Sequence, residues 1–299
     1  KLQIAMVTKD HENESNTKYA QGGIAIVSDV LKDSIAKHIK DTLRAGDGLC
    51  KKDVVEMVVT SGYKRLEELI SWGVSFDKDE EGQFDLGLEG GHTSNRIYHH
   101  KDITGKEIEE ALIKQVKSCK NIHIYTHFLA VNLITYKKEV TDNQCIGAII
   151  LNRKTEEIIQ FHAKITVLAT GGIGQVYEHT TNPAIATGDG IAMAQRAGAL
   201  IENMEFIQFH PTAFSSQNHL PSFLISEAVR GFGAYLLNEQ GNRFLLATDP
   251  RGELASRDIV SKAIHNEIAK SKNSSVYLDC RHLDAQKFKA KFPFIHSKL

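Results

Sequence analysis

Four short segments concentrate side chains that can bind anions and move protons. The first is Glu89-Gly90-Gly91-His92-Thr93, followed by Arg96 and His99. The second is His210-Pro211-Thr212, the third Ser226-Glu227 with Arg230-Gly231, and the fourth runs from Arg251 through Glu253 and Ser256 to Arg257-Asp258. Singly, each has a plain structural reading. Gly-Gly after Glu makes a turn, His before Pro sits in a loop, and Arg257 beside Asp258 is a surface ion pair worth at most about 1 kcal/mol. Together they suit a small dicarboxylate, whose two anionic ends need cations and hydrogen-bond donors fixed around them. A dehydrogenation would also need a group that moves a proton while a hydride leaves.

A second feature lies near the start. Ser15-Asn16-Thr17-Lys18-Tyr19-Ala20-Gln21-Gly22-Gly23-Ile24 follows the short apolar run Ile4-Ala5-Met6-Val7. A strand ending in a polar, glycine-paired loop offers backbone N–H groups to something flat or anionic. The Gly-Gly pair lets a ligand come close to the backbone, because no Cβ intervenes.

The elements that must position these residues follow from periodicity. Leu31, Ile35, Ile39 and Leu43 recur every four residues and predict an amphipathic helix stopped by Gly46. Val54 to Ile70 predicts a second helix, with Leu66, Leu69 and Ile70 on one face. Thr104-Gly105-Lys106-Glu107 reads as a capping box that opens a third. Short β-type runs follow at 122–125, 130–135, 146–152, 158–162 and 165–168. Val167-Leu168-Ala169-Thr170-Gly171-Gly172 reads as a buried strand with a glycine turn, but Tyr177 stands where a dinucleotide fingerprint needs its third glycine. Asp189 opens a helix, where it can cap the backbone or hold a ribose hydroxyl or flavin edge. A last helix spans about 256–269. The pattern predicts an α/β fold with an antiparallel piece and a domain boundary near residue 205.

Bulk properties narrow the class. The chain has 299 residues, 41% apolar and 24% charged, with a formal net charge of -1. That balance excludes nucleic acid or an anionic membrane as the main partner. No apolar run approaches the roughly 18 residues of a membrane span. Cys50, Cys119, Cys145 and Cys280 form no C-x-x-C pair, so neither a metal site nor a disulfide framework is expected, and the expected setting is the cytoplasm.

In order, spacing and wording, these segments resemble the L-aspartate oxidases of the succinate dehydrogenase/fumarate reductase flavoprotein family, along essentially all 299 residues. The resemblance implies an FAD-binding Rossmann-like domain, incomplete, over 1–205 and an inserted α+β capping domain, also incomplete, over 206–299. It implies oxidation of L-aspartate to iminoaspartate by FAD, re-oxidation by oxygen or fumarate, a place in NAD biosynthesis, and hand-over of the imine to quinolinate synthase. Carried over by position, Arg257 is the proton donor/acceptor. His210, Thr212, Ser226 (where the family has Thr), Glu227, His92 and Thr93 bind substrate, and Glu89 meets its amino group. Thr8, Asn16, Thr17, Lys18, Tyr19, Ala20, Gln21, Gly22, Gly23, Leu129, Ala130, Gly171, Gly172 and Asp189 line the cofactor.

Two positions discriminate within the family. Relatives with covalent flavin carry a histidine where this chain has Asn16, so the expected flavin is non-covalent. A carboxylate at Glu89 attracts the ammonium of L-aspartate and repels a plain dicarboxylate. Arg257 is a poor base, since a guanidinium is effectively always protonated. If Ser256 is the helix cap, Arg257 sits in the first turn, where the macrodipole disfavours a cation. The family's first strand and glycine turn are expected to precede Lys1 and further segments to follow Leu299. On that expectation these residues alone hold FAD weakly and do not turn over aspartate. The competing readings are a fumarate reductase or succinate dehydrogenase flavoprotein and a non-catalytic remnant.

Overall fold

The computed structural model describes residues 2–28, 32–139, 142–215, 221–272 and 275–299. The chain opens with strand β1 (Ile4–Thr8), then β2 (Ile24–Ala25), helices α1 (Ile35–Ala45) and α2 (Lys52–Ser71), and strands β3 (Leu86–Gly87) and β4 (Ile97–Tyr98). Helix α3 (Thr104–Ser118) leads into β5 (Ile122–Thr126), β6 (Phe128–Glu139), β7 (Asp142–Asn152) and β8 (Ile158–His162), followed by α4 (Asp189–Arg196). The remainder holds α5 (Glu227–Gly231), β9 (Tyr235–Leu237), α6 (Arg257–Ile268), β10 (Tyr277–Asp279), α7 (Ala285–Lys291) and α8 (Pro293–Lys298).

These elements form two compact units. The first comprises Lys1–Lys18, Ile113–Ile207 and Asn218–Ser222; the second comprises Tyr19–Leu112, Gln208–Gln217 and Phe223–Leu299. One unit edge falls between Ile207 and Gln208, and Tyr19–Leu112 groups with the residues that follow it.

In the first unit β1 and β5 pair in parallel, Ile4 opposite Ile122 and Thr8 opposite Thr126. β6, β7 and β8 form an antiparallel sheet. Arg196 at the end of α4 ties the helix to β6, donating to Asn132 Oδ1 at 3.1 Å and to the Val131 carbonyl at 2.7 Å. The buried strand expected at 165–168 does not form. Ile165 is 74% and Val167 79% exposed, and neither pairs with a strand among the described residues. An apolar run becomes a strand only where a neighbour takes its backbone groups, and none does here.

The second unit carries three buried apolar clusters. Ile26, Leu66, Val74, Phe76 and Tyr98 join α2 to the small β2–β4–β3 sheet. Ile225, Val229, Ala234, Phe292 and Ile295 pack α5 against α8. Leu236, Leu245, Ala255, Val260 and Ala263 seat α6. Helix α1 starts at Ser34, whose Oγ accepts from the Lys37 N–H at 3.2 Å, and ends at Gly46. Its buried residues are His38 and Asp41, whereas Ile35, Ile39 and Leu43 are only half-buried; Leu31 lies outside the described residues. The buried face of α1 is therefore polar. The capping box at Thr104 is also redirected. Thr104 Oγ1 accepts from the His100 N–H at 2.9 Å, and Glu107 Oε1 accepts from the Ser75 N–H at 2.9 Å. The same side chains thus tie the helix start to neighbouring loops.

Candidate active site

Within the second unit, two helix starts face one carboxylate. The five-residue helix α5 begins at Ser226, whose Oγ accepts from the Ala228 N–H at 3.2 Å. This places Glu227 in the first turn and Arg230 one turn later, both buried. Helix α6 has Ser256 at its N-cap position, without a side-chain capping bond, and begins at Arg257, the position expected from its sequence. Arg257 does not pair with Asp258. Its Nε donates to Glu227 Oε2 at 2.5 Å and its Nη1 to Gln208 Oε1 at 2.9 Å. Arg230 Nη2 lies 3.3 Å from Glu227 Oε1, and Arg230 Nη1 donates to the Glu253 carbonyl at 2.6 Å. Glu227 thus stands between two guanidinium groups. The Nε and Nη2 of Arg230 make no hydrogen bond among the described residues. Burial, opposed by Glu227 and reinforced by Arg257, holds Arg230 below the usual arginine range.

Glu89 joins this cluster. Its Oε1 is buried without a hydrogen-bond partner among the described residues. Burial first, and then the charge of Glu227, push its pKa up to about 7. Gly90 has no room for a side chain, because a methyl there would strike Glu227 Oε1 and the Ala255 carbonyl. The glycine pair Gly22-Gly23 plays the same part. A β-carbon on Gly22 would lie 2.9 Å from Glu89 Oε1, and one on Gly23 would collide with the Tyr98 carbonyl. A side chain at either position would thus crowd Glu89 or strand β4.

His210 is held down to a pKa of about 3 by burial, then by the charges of Arg257 and Arg230. Its Nδ1 accepts from the Thr212 N–H at 3.3 Å. A neutral imidazole whose Nδ1 accepts carries its proton on Nε2. His210 is therefore a neutral N–H donor. Thr212 is buried and donates its hydroxyl to the Ile225 carbonyl at 2.8 Å, so it braces the strand-like segment before Ser226.

The rest of the first motif is organised by Arg96, which is 0% exposed. Its Nε and Nη2 donate to Asp33 at 2.6 and 2.7 Å, and its Nη1 donates to Asp41 Oδ2 at 2.7 Å. Thr93 donates both its N–H (2.9 Å) and its hydroxyl (2.7 Å) to the same Asp41 oxygen. Arg44 Nη2 reaches the Gly91 carbonyl at 3.2 Å. His99 meets Asp77 at 3.0 Å through Nδ1. The chemistry-bearing sequence segments thus split. Glu89, His210, Glu227 and Arg257 come together, whereas Thr93, Arg96 and His99 are bonded into supporting pairs. Arg230 stood in a sequence segment without a role of its own. Gln208, Asp33 and Asp41 carried no local signal at all.

Of the expected cofactor residues, Leu129 and Asp189 of the first unit line one cavity. A cavity of about 330 Å³ is lined by Lys9, Asp10, Leu129, Arg153, Thr187 and Asp189, beyond the end of β1, where Thr8 closes the strand. Leu129 and Ala130 occupy the first turn of the β6 ladder, opposite Leu151 and Ile150. Asp189 is not the cap of α4, a place taken by Gly188; it bonds Lys9 and accepts from Thr187 Oγ1 at 2.8 Å. Thr17, Lys18 and Tyr19 form a single 3-10 turn held by Ser15 Oγ, which accepts from the Thr17 N–H at 3.0 Å. Ala20 uses its carbonyl to accept from the Gly105 N–H at 2.8 Å. Gly171 has a positive φ of 67°, and Gly172 faces open space. The Oδ1 of Asn16, in this unit, and the Oε1 of Gln21, in the second, are both buried without a partner among the described residues. The cavity flanked by Lys9 and Arg153 in the first unit fits the diphosphate of a dinucleotide.

Comparison with known proteins agrees. Residues 1–298 match the FAD binding domain family. The chain is 46% identical to L-aspartate oxidase 2-b, chloroplastic, of Nicotiana tabacum, covering 98% of this chain and 46% of that protein. It is 45% identical to L-aspartate oxidase of Yersinia pestis, covering 99% of this chain and 56% of that one. Among solved structures, a point mutant of E. coli quinol fumarate reductase FrdA superposes with a TM-score of 0.90 at 30% identity, over 99% of this chain and 52% of that chain. The chain belongs to the FAD-binding-domain family, in the succinate dehydrogenase/fumarate reductase group of flavoproteins that includes the L-aspartate oxidases. FAD is the cofactor of that family. The chain spans about half the length of the curated relatives it matches.

Proposed function

We propose that these residues form part of the catalytic body of an FAD-dependent L-aspartate oxidase. The observation that carries the reading is Glu89, a carboxyl group with an idle buried oxygen set among Arg257, Arg230 and His210. A site for carboxylates alone gains nothing from a third carboxyl group. A site for an amino diacid needs one, to meet the ammonium.

In this reading Arg257 and the Nε2–H of His210 hold the substrate carboxylates, with Arg230 backing them through Glu227. Oxidation of L-aspartate to iminoaspartate breaks the Cα–H bond, whose electron pair leaves as hydride, and removes a proton from the amino group. FAD, when bound, supplies the hydride acceptor, and Asn16 and Lys9 would be among the residues that hold it, without a covalent bond. Arg257 Nε–H already donates to the buried carboxylate of Glu227, so a proton passed from Arg257 to Glu227 would leave a neutral guanidine able to accept the proton released by the substrate. Re-oxidation by oxygen or fumarate, service in NAD biosynthesis, transfer of the unstable imine to quinolinate synthase and a cytoplasmic setting belong to the same proposal. No helix among the described residues is long and apolar enough to cross a membrane.

The test is steady-state oxidation of L-aspartate and of succinate by the intact protein. Turnover of L-aspartate with release of peroxide or reduction of fumarate supports the reading. Turnover of succinate alone would assign the fumarate reductase or succinate dehydrogenase alternative. The purified 299 residues are expected to hold FAD weakly; a yellow, stoichiometric flavoprotein would overturn that part.

A further inference from the structure

The turn that carries Glu89 also carries His92, and this histidine is fixed in an unusual way. Its Nδ1 lies 3.2 Å from Arg96 Nη1. A guanidinium has only donors, so His92 Nδ1 must be the acceptor and the ring proton must sit on Nε2. No other hydrogen bond reaches this ring among the described residues. Arg96 is held in place by Asp33 and Asp41, both buried. Asp41 also takes the N–H and hydroxyl of Thr93, the next residue. The ring of His38 leans on the His92 ring at a centroid distance of 5.7 Å. Burial and then Arg96 keep His92 below its ordinary pKa, against the opposing pull of Asp41, Glu227 and Asp33. The Arg96 contact therefore selects one tautomer, an imidazole with its N–H at Nε2.

We propose that Asp41 and Arg96 are positioning residues that lock His92 as an Nε2–H donor to a substrate carboxylate, matching the donor formed independently at His210. This rests on the L-aspartate oxidase reading. It adds to it the pair of residues that sets the tautomer of His92. A neutral donor holds a carboxylate without cancelling the charge of Glu89, which has to stay available for the ammonium.

The test uses the intact enzyme and two amide replacements of His92. The side-chain amide of Gln reaches the place of Nε2, and that of Asn the place of Nδ1. His92→Gln is expected to raise the KM for L-aspartate about threefold and His92→Asn about thirtyfold, with kcat changed less than KM in both, since one hydrogen bond to a charged group is at stake. Asp41→Asn is expected to raise KM about tenfold. Should Asp41→Asn fail to fold, Thr93→Val removes one bond to Asp41 while leaving the Arg96 pair, and is expected to raise KM about threefold. Equal KM values for the Gln and Asn variants would overturn the tautomer. An Asp41 or Thr93 variant that lowers the melting temperature without moving KM would overturn the positioning role. A parent enzyme that does not oxidise L-aspartate would instead overturn the reading beneath it.

Discussion

Arg96 and Arg230 lie in the same unit and are equally shut off from water, at 0% and 1% exposure. Their surroundings are opposite. Arg96 spends its donors on Asp33 and Asp41, and although burial opposes it, those carboxylates hold its pKa above the ordinary value. Arg230 has one strong bond, to the Glu253 carbonyl, a looser ion pair from Nη2 to Glu227 at 3.3 Å, and an Nε without a hydrogen bond among the described residues. Burial wins there and its pKa falls. A buried charge with every donor matched belongs to the scaffold. A buried charge whose donors are only partly matched bears part of its desolvation penalty uncompensated, and such groups cluster where something else is to be bound.

The largest effect should come from breaking the matched arginine. Arg96→Met leaves Asp33 and Asp41 buried without their cation and is expected to destabilise the unit by about 3–5 kcal/mol. Urea denaturation measures this, and a loss below about 1 kcal/mol would mean that Arg96 is not the scaffold charge. Arg230→Met should behave the other way. Glu227 keeps Arg257 as a partner, so the denaturation midpoint is expected to move less than in Arg96→Met. Turnover of L-aspartate should fall by roughly a hundredfold or more, as for loss of a group that stabilises charge in a water-excluded site. Equal stability losses with activity retained would remove the distinction.

Arg257 sharpens the same contrast. Its place at the first turn of α6 is unfavourable to a cation, yet it bonds a carboxylate that is itself buried. Arg257→Lys retains the charge but loses the geometry of the fork, and is expected to lower kcat by about a hundredfold with little change in melting temperature. A variant with unchanged kcat would return Arg257 to an ion-pairing role.

What the sequence could show of this contrast depended on distance along the chain. Helix α2, the β6–β8 sheet and the start of α6 at Ser256-Arg257 were all readable, because caps and periodicity act between near neighbours. The pairing of Arg96 with Asp33 and Asp41 joins residues 63 and 55 apart, and only packing of α1 creates it. For the same reason the apolar spacing of α1 misled, since the helix turns Asp41 inward to bond Arg96 and His38 inward against the His92 ring. Glu89 and Arg257 were singled out through a family resemblance. That they converge on Glu227 follows from the fold. Val167-Leu168 had strand composition but no partner strand among the described residues, and composition alone supplies none.

Glu89 tests the idle side of the comparison by pH. Its pKa rises on folding from the ordinary 4.5 to about 7, because of burial and Glu227. The folded state therefore holds a proton that the unfolded chain gives up between those values. The stability contributed by the neutral form is fully present below about pH 4.5 and is lost as pH climbs through 7. Glu89→Gln keeps a neutral group at every pH. The variant should melt a few degrees above the parent at pH 8, roughly 2–4 °C per kcal/mol, and the gap should close towards pH 5. L-Aspartate, which needs the ionised form, should bind the parent more tightly as pH rises through 7, and the variant should lose that dependence. A melting gap independent of pH would mean that Glu89 is not part of the unmatched cluster.

The smallest effect belongs to a third arginine on the rim. Arg44 has half its side chain in water, touches Asp41 Oδ1 at 3.3 Å and reaches the Gly91 carbonyl at 3.2 Å. It thus contacts the same carboxylate as Arg96 and the same turn as Glu89 and His92, but from a position where solvent screens it. An exposed pair of this kind contributes about 0.5 kcal/mol or less. Arg44→Ala should therefore leave the denaturation midpoint almost unchanged and raise the KM for L-aspartate by less than about threefold. If Arg44→Ala proved as damaging as Arg96→Met, the hold on the Glu89–Thr93 turn would lie in its backbone contact at Gly91, and the buried Arg96 pair would lose its standing as the element that fixes the site.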